Sequence, residues 1–449
     1  MSRHRSAILV SLSCSLACQG QAIEASDESG SSGIVVGRDD SGSGTGRDDG
    51  GDDGADGSED DGHTIVFDVG SPTGTVDCGD GEVGNSFSII WIANSSQGTV
   101  SKIDTATATE LARYRTGPDG SDPSRTAVSL SGDVAVSNRR GTVTKLAGTI
   151  ERCVDGDGDG EIRTSRAWDD VLPWGEDECV LWHHDTGFDP GVAGSQGGPR
   201  ATAWTRGSID PATCDTVGEQ LWISWRNQPA SSATIRKLDG DLGTTLGEVV
   251  IEDWPDNWGH GPYGGAADVD GNLWALGTSG SMFRVDAETL AVDRWDNPVD
   301  HVMYGIALDG DGTPWVAGWS GKLWKFDREA GSWIDEGDTE GGPTRLRGLA
   351  IDRDGSAWVA GNNPCGLMRY DTVADVLVDG AIALPDCQEP VGVSVDAAGM
   401  VWVVDRGAAR AYRVDPSDGS SVVVEGLVDP YTYSDMTGSG LGLVANPPG

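Results

Sequence analysis

Apolar positions alternate with small or polar ones along much of the chain, and they do so in a recurring frame. In PYGGAADVDGNLWALG (Pro262–Gly277), an aspartate follows the first glycine by four residues, and a tryptophan follows it by ten. The same frame returns in Met303–Gly318, Leu346–Gly361 and Pro390–Asp405. Helical periodicity is absent from these segments, so each copy predicts two β-strands joined by a Gly/Asp turn.

The spacing of the copies predicts the architecture. Trp274, Trp315, Trp358 and Trp402 are 41, 43 and 44 residues apart, a period typical of propellers and solenoids. Weaker copies upstream complete a set of seven units, centred on Trp91, Ala135, Trp222, Trp274, Trp315, Trp358 and Trp402. We therefore predict an all-β fold, a seven-bladed β-propeller over residues 64–449 with an insertion at about 150–199.

The two ends of the predicted propeller complement each other. The stretch DPYTYSDMTGSG (Asp429–Gly440) resembles the innermost strand of a repeat, but no tryptophan strand follows it. The Trp91 unit lacks a clear innermost strand before it. Pairing of the N- and C-terminal strands would complete one blade and remove an open sheet edge. In this arrangement we expect the repeat tryptophans to pack between blades and the repeat aspartates to form turns.

The N-terminal region predicts export. Residues 1–18 combine a basic start with a short apolar core and end at Cys18, which resembles the lipidated cysteine of a bacterial lipoprotein. A plain secretory signal is the alternative. Residues 19–63 are rich in Gly, Ser and Asp and predict a disordered tether. The protein is then expected at the cell envelope or cell surface, or secreted, with a membrane contact only through the lipid anchor.

Charge and cysteine content limit the partners and the compartment. The net charge of −41 argues against nucleic acid as a partner. Even cysteine numbers after the leader indicate disulfides in an exported chain. Cys365 follows a second strand and Cys387 lies between blades, so both fall on one face of a propeller and are predicted to pair. Three pairings remain open for the other four, Cys78, Cys153, Cys179 and Cys214.

The stretch CVDGDGDGEIRTSR predicts a structural Ca²⁺ site. Asp155, Asp157 and Asp159 have the spacing of an EF-hand-type loop, and Glu161 would offer its carbonyl. Arg166 stands where the bidentate glutamate is expected, so that ligand must come from elsewhere. The candidates are Asp169, Asp170, Glu176 and Glu178. An acidic turn that holds no ion is the alternative.

A second group of polar residues is predicted at the mouth of the channel. His260 and His301 each precede a repeat glycine by four residues, in successive blades. Arg345, Arg347 and Glu389 fall near the corresponding places in the next two blades. Such a ring could bind an anion or a divalent metal such as Mg²⁺, although solvated loop residues are an equal alternative.

The repeat resembles that of the bacterial propellers grouped with streptogramin B (virginiamycin B) lyase, and more distantly that of NHL-repeat and gluconolactonase-like propellers. The resemblance implies an elimination reaction that opens a cyclic depsipeptide with two histidines, a glutamate and Mg²⁺. In this chain Tyr263 and Tyr304 stand where those lyases have the histidines, and Gly277 and Gly318 stand where the glutamate is expected. No lyase residue carries over by position.

Two functional hypotheses follow. The first is a non-catalytic propeller whose top face binds a small molecule or a surface protein, with Arg345, Arg347, Tyr263 and Tyr304 as candidate ligand-binding residues. The alternative is a divalent-metal-dependent lyase or hydrolase with a rearranged site, in which His260, His301 and Glu389 are the candidate catalytic residues. A channel metal bound by both histidines would favour the alternative.

Overall fold

The computed structural model describes residues 87–193, 195–255, 258–298, 302–338 and 341–447. The predicted signal peptide and tether, and with them Cys18 and Cys78, lie outside these residues, and so does His301. Within the described residues the chain forms seven blade-like sheets, which confirms the predicted seven-bladed, all-β propeller.

The blades follow one another along the chain, and each is built from consecutive antiparallel strands. Blade 1 contains β1 (Ile89–Asn94), β2 (Thr99–Asp104) and β3 (Thr109–Arg115). Blade 2 contains β4 (Pro123–Val128), β5 (Val134–Asn138), β6 (Thr142–Leu146) and β7 (Val180–Asp185). Blade 3 contains β8 (Thr202–Trp204), β11 (Gln220–Asn227), β12 (Ser232–Asp239) and β13 (Thr245–Ile251), with a separate hairpin of β9 (Ser208–Ile209) and β10 (Thr216–Val217).

The remaining blades have regular four-stranded sheets. Blade 4 contains β14 (Gly264–Ala267), β15 (Leu273–Leu276), β16 (Ser281–Val285) and β17 (Val292–Asp296). Blade 5 contains β18 (Met303–Leu308), β19 (Pro314–Gly318), β20 (Lys322–Asp327) and β21 (Ser332–Asp338). Blade 6 contains β22 (Arg345–Ile351), β23 (Ser356–Asn362), β24 (Gly366–Asp371) and β25 (Val376–Ile382). Blade 7 contains β26 (Pro390–Val395), β27 (Val401–Asp405), β28 (Arg410–Val414) and β29 (Ser421–Val424). Two α-helices, α1 (Pro190–Ala193) and α2 (Ser439–Ala445), and three 3₁₀ helices (Ser95–Gln97, Ile150–Arg152 and Ser195–Gly197) complete the described elements.

The repeat tryptophans lie on the second strand position of their blades and are buried between blades. Trp315 packs against Leu346 and Leu349 of blade 6, and Trp402 packs in one cluster with Ile90 and Ile92 of blade 1. Burying these large aromatic side chains holds neighbouring sheets together. The core role expected from the sequence is confirmed.

The first glycine of the repeat is required by the close approach of neighbouring innermost strands. A Cβ on Gly348 would lie 2.6 Å from the carbonyl oxygen of Val391 in blade 7. On Gly392 it would lie 1.7 Å from the carbonyl oxygen of Thr432. Since both obstacles are backbone atoms, any side chain here would push the innermost strands apart around the channel.

The C-terminal segment lies along blade 1. Pro430 forms an isolated antiparallel bridge with Asn94, the amide of Tyr431 donates to the carbonyl of Ala93 at 3.1 Å, and the amide of Trp91 donates to the carbonyl of Met436 at 3.0 Å. The segment therefore occupies the innermost place of blade 1. It forms no regular strand there, so the predicted closure by strand pairing is not shown.

After this segment, α2 fills the lower end of the channel, where the turns between first and second strands lie. Leu441, Leu443 and Val444 are buried against different blades. Asp435 accepts from the amides of Gly438 and Leu441 at 2.8 and 2.9 Å, which fixes the start of the helix. A small cavity of about 60 Å³ lies in the channel and is lined by the innermost strands and α2.

The insertion lies within blade 2, at residues 147–179 between β6 and β7, whereas the predicted range of about 150–199 also included β7. A disulfide between Cys153 and Cys179 ties its two ends together. Cys365 and Cys387 also pair, on the opposite, upper face, so the predicted bond is confirmed. Cys214 is disulfide-bonded as well. Among the described helices, none has the length and apolar character needed to cross a bilayer.

Candidate functional site

Tyrosine side chains converge at the upper mouth of the channel, because Tyr263 and Tyr304 take the same repeat position in neighbouring blades. Their rings lie 5.1 Å apart, and Tyr433 of the C-terminal segment lies 5.2 and 4.7 Å from them. All three side chains are buried in one cluster. Two residues predicted to bind ligand thus form the aromatic floor of the mouth.

Tyr431 joins two of the three hydroxyl groups of this floor. The Tyr431 oxygen lies 2.8 Å from the hydroxyl of Tyr263 and 2.6 Å from that of Tyr304. The Tyr433 hydroxyl is buried and has no hydrogen-bond partner among the described residues. The floor therefore combines apolar ring faces with a compact polar centre.

Two buried arginines lie against this floor. The guanidinium carbon of Arg125 lies 3.0 Å from the ring centroid of Tyr433, and that of Arg200 lies 5.1 Å from the ring centroid of Tyr263. Arg125 is 1% exposed and Arg200 is 4% exposed. Their hydrogen bonds go to carbonyl oxygens: Arg125 donates to those of Ser124 and Tyr263, and Arg200 donates to that of Gln196. Within the described residues neither arginine has a carboxylate partner.

The strand register places these groups in an ordered arc. Trp222 pairs with Ala203 as Trp274 pairs with Ala266, so Arg200 of blade 3 stands at the position that Tyr263 takes in blade 4. Tyr304 and Arg347 directly precede the repeat glycines of blades 5 and 6. The residues before the repeat glycine thus read Arg–Tyr–Tyr–Arg across four consecutive blades. We call Arg125, Arg200, Tyr263, Tyr304, Tyr431 and Tyr433 the mouth cluster.

The electrostatics of the mouth cluster are dominated by these arginines. Burial lowers the pKa of Arg125 to about 9, and the nearby Arg200 charge acts in the same direction. Burial likewise lowers the pKa of Arg200. The pKa of an arginine falls in this way when its charge is removed from water and no anion lies beside it.

The other predicted residues of the upper face form the border of the cluster. Arg347 is buried, donates to Glu389 at 2.8 Å and lies 4.7 Å from the ring centroid of Trp319. Arg345 is exposed and lies 5.5 Å from the same ring. Glu389 is therefore engaged by an arginine.

His260 lies beside the cluster. Its ring centroid is 4.8 Å from that of Tyr263, and its Nδ1 lies 3.3 Å from the hydroxyl of Thr278. Burial, together with the charges of nearby arginines, lowers the pKa of His260 to about 3. His301, the other candidate, is outside the described residues. The arginine charges that contribute to this lowered pKa would also oppose a divalent cation beside His260.

The predicted calcium loop lies on the lower face. One carboxylate oxygen from each of Asp155, Asp157 and Glu178 falls within 4.8 Å of the others. Glu178 accepts from the amides of Gly156 and Arg163, both at 2.7 Å, and so closes the loop. Its neighbour Cys179 is bonded to Cys153. The sequence named Glu178 among four candidates for the missing ligand, and the structure brings it to the loop. Asp159 and Glu161 are not part of this carboxylate group.

Sequence reasoning missed four members of the mouth cluster, Arg125, Arg200, Tyr431 and Tyr433. A signal existed for Arg125, because it stands ten residues before Ala135 and therefore replaces the repeat glycine of blade 2. Arg200 was hidden by the β9–β10 hairpin, which breaks the spacing to Trp222. Tyr431 and Tyr433 lie in the stretch used to predict closure, where their side chains were not considered.

Comparisons with known proteins support the fold. No protein-family model matches the chain, and no curated protein matches it. A streptogramin B lyase structure is similar with a TM-score of 0.51 at 15% identity, over 71% of this chain and 88% of that one. A structure of a protein from Lactobacillus plantarum is similar with a TM-score of 0.51 at 14% identity, over 77% and 98%. The chain is thus a β-propeller whose solved structural neighbours include streptogramin B lyase and other propeller proteins.

Proposed function

We propose that this protein is an exported, lipid-anchored, non-catalytic propeller that binds a small oxyanion, such as a carboxylate or sulfate group, at the mouth cluster. The observation that carries the proposal is that Arg125 and Arg200 are buried without a carboxylate partner among the described residues. A buried arginine without a carboxylate partner is costly, and an oxyanion ligand would supply a strong opposite charge.

The chemistry of the donors favours an oxyanion. The Nε of Arg125 and the hydroxyl of Tyr433 are buried and have no hydrogen-bond partner in the described structure. Guanidinium groups present planar donors that match carboxylate, sulfate and phosphate oxygens, and such charge-assisted hydrogen bonds are strong. The tyrosine faces around them exclude water, which strengthens the attraction.

The position of the cluster suits a receptor. The mouth cluster lies at the upper opening of the channel. The exposed ring of Trp258 and the Trp319–Arg345 pair border it. A tether between a lipid anchor and the propeller would hold this mouth away from a membrane. The metal-dependent lyase alternative has less support, because the arginines repel a divalent cation and Glu389 is bound to Arg347.

Sulfate binding tests the proposal, because sulfate is an oxyanion with no proton to release near neutral pH. Isothermal titration calorimetry of the purified full chain at constant ionic strength would compare wild type, Arg125→Met and Arg200→Met. We expect each variant to lose at least about tenfold in affinity, since each removes charge-assisted hydrogen bonds. Arg353→Met, an exposed arginine near a lower-face turn, is the matched control. Equal binding by all four proteins would contradict the proposal.

A further inference from the structure

The hydroxyl geometry around Tyr431 distinguishes it from the other tyrosines. Two hydroxyl groups, from Tyr263 and Tyr304, lie within 2.8 and 2.6 Å of its one oxygen. The shorter distance is typical of a hydroxyl that donates to an ionised oxygen. Its backbone is fixed on blade 1, where its amide donates to Ala93. The Tyr431 oxygen is therefore held within hydrogen-bonding distance of two hydroxyl groups, each of which can donate to it.

The surrounding charges are predominantly positive. The guanidinium carbons of Arg139, Arg406 and Arg125 lie 4.6, 5.4 and 5.8 Å from the Tyr431 ring centroid. Asp122 pairs with Arg139, and Asp429 pairs with Arg406. Arg125 and Arg200 have no such partner in the described residues. The charged and titratable groups that face Tyr431 are Arg125, Arg139 and Asp122 from blade 2, Arg200 before β8, Tyr263 with His260 behind it from blade 4, Tyr304 from blade 5, Arg406 from blade 7, and Asp429 and Tyr433 from its own segment.

We propose that Tyr431 is a phenolate in the ligand-free protein, where it serves as the internal counter-ion of Arg125 and Arg200, and that it takes up one proton when an oxyanion binds. The second half of this inference rests on the proposed function. The incoming anion replaces the phenolate as the partner of the arginines. Two adjacent negative charges repel each other, so the phenolate oxygen accepts a proton from water and becomes a hydroxyl that can donate to the ligand.

The direction of the pKa shift agrees with this geometry. Burial alone would raise the pKa of Tyr431, but the charges of Arg125 and Arg200 and the two hydroxyl donors offset it, and the pKa lies below the usual tyrosine value. The shift is opposite for tyrosines elsewhere. Burial raises the pKa of Tyr114, Tyr370 and Tyr412 to about 12. The lowered pKa of Tyr431 is thus in the direction that the proposal requires.

Ultraviolet titration of the ligand-free full chain tests the phenolate directly. Wild type should show the phenolate absorption band of one tyrosine below pH 10, and Tyr431→Phe should lose it. Tyr412→Phe is the matched control, because it removes a buried hydroxyl whose pKa is raised and should leave the low-pH band intact. A wild-type protein without this band, or a Tyr431→Phe variant that keeps it, overturns the inference.

Calorimetry in buffers of different ionisation enthalpy tests the coupling. We expect sulfate binding to wild type to take up close to one proton per site above the Tyr431 midpoint, and its affinity there to fall about tenfold per pH unit. Below the Arg125 pKa of about 9, where that arginine keeps its charge, Tyr431→Phe should bind sulfate with no proton uptake and a flat pH profile. Sulfate binding to wild type without proton uptake overturns the coupling. A low Tyr431 midpoint with no sulfate binding contradicts the proposed function and the coupling, but supports the phenolate.

Discussion

The indole Nε1 of Trp402 donates to Oδ2 of Asp396 at 2.8 Å, across a separation of six residues. The other oxygen of Asp396 accepts from the amides of Ala398 and Met400. The same indole–carboxylate bond recurs in three further blades, in the pairs Asp268–Trp274, Asp309–Trp315 and Asp352–Trp358. One carboxylate therefore fixes the turn between the first two strands and also satisfies the buried indole.

Removing this carboxylate should destabilise the propeller. Asp396→Ala leaves the Trp402 indole and two turn amides without their acceptor, so we expect a loss of about 1–3 kcal/mol in the free energy of unfolding. Asp396→Asn keeps one acceptor oxygen and should lose less. Urea denaturation followed by tryptophan fluorescence measures both. An alanine variant as stable as wild type would show that the bond contributes nothing net.

The mouth cluster should lower the stability of the ligand-free protein, because its buried arginines serve to bind an oxyanion. Arg125→Met keeps the length of the side chain but removes a buried charge that has no carboxylate partner in the described residues. We therefore expect its melting temperature to exceed that of wild type in sulfate-free buffer at a pH below the Tyr431 midpoint, where the phenolate has not formed and the arginine charge has no counter-ion. The further stabilisation that sulfate gives wild type should be absent. A variant that is destabilised in both buffers would indicate a structural role for the guanidinium.

Acid should weaken the fold through His260. Its folded pKa is about 3, below the ordinary 6.5, so the unfolded state binds a proton that the folded state does not. Its contribution to stability is complete above pH 6.5 and is lost as the pH falls from 6.5 towards 3. Melting temperatures of wild type and His260→Gln between pH 7 and pH 4 test this. The melting temperatures of the two proteins should converge as the pH falls. A constant difference between them would exclude His260 as the cause of the acid sensitivity.

Calcium should stabilise the blade 2 insertion. Hydrogen bonds from backbone amides lower the pKa of Asp155 and of Glu178, so both carboxylates are ionised at neutral pH. We expect EGTA to lower the melting temperature of wild type and Ca²⁺ to restore it. Glu178→Gln should lose this response. Glu161→Gln should keep it, because only the carbonyl of Glu161 was assigned to the ion. A wild-type protein insensitive to EGTA would favour an acidic turn without metal.

The repeat frame made the propeller predictable, because strand spacing, turn glycines and buried tryptophans recur with little variation. The Cys365–Cys387 bond followed from the face on which propeller loops lie. The mouth cluster was less accessible, since its members come from five places in the chain and become neighbours only around the closed ring. Tyr263 and Tyr304 were found by their repeat position. Arg200, in an irregular repeat, could be aligned only once strand pairing was known.

Residues 429–445 supply both Tyr431 at the upper mouth and the helix α2 at the lower end of the channel. Under the proposed function, this tail would form part of the oxyanion site, and α2 would close the channel below it. A bound molecule would then leave through the upper side by which it entered. The tail also makes formation of the mouth cluster depend on the completion of folding. Before the tail docks on β1, Arg125 and Arg200 have neither Tyr431 nor Tyr433 beside them, so an incompletely folded chain has no working site to offer.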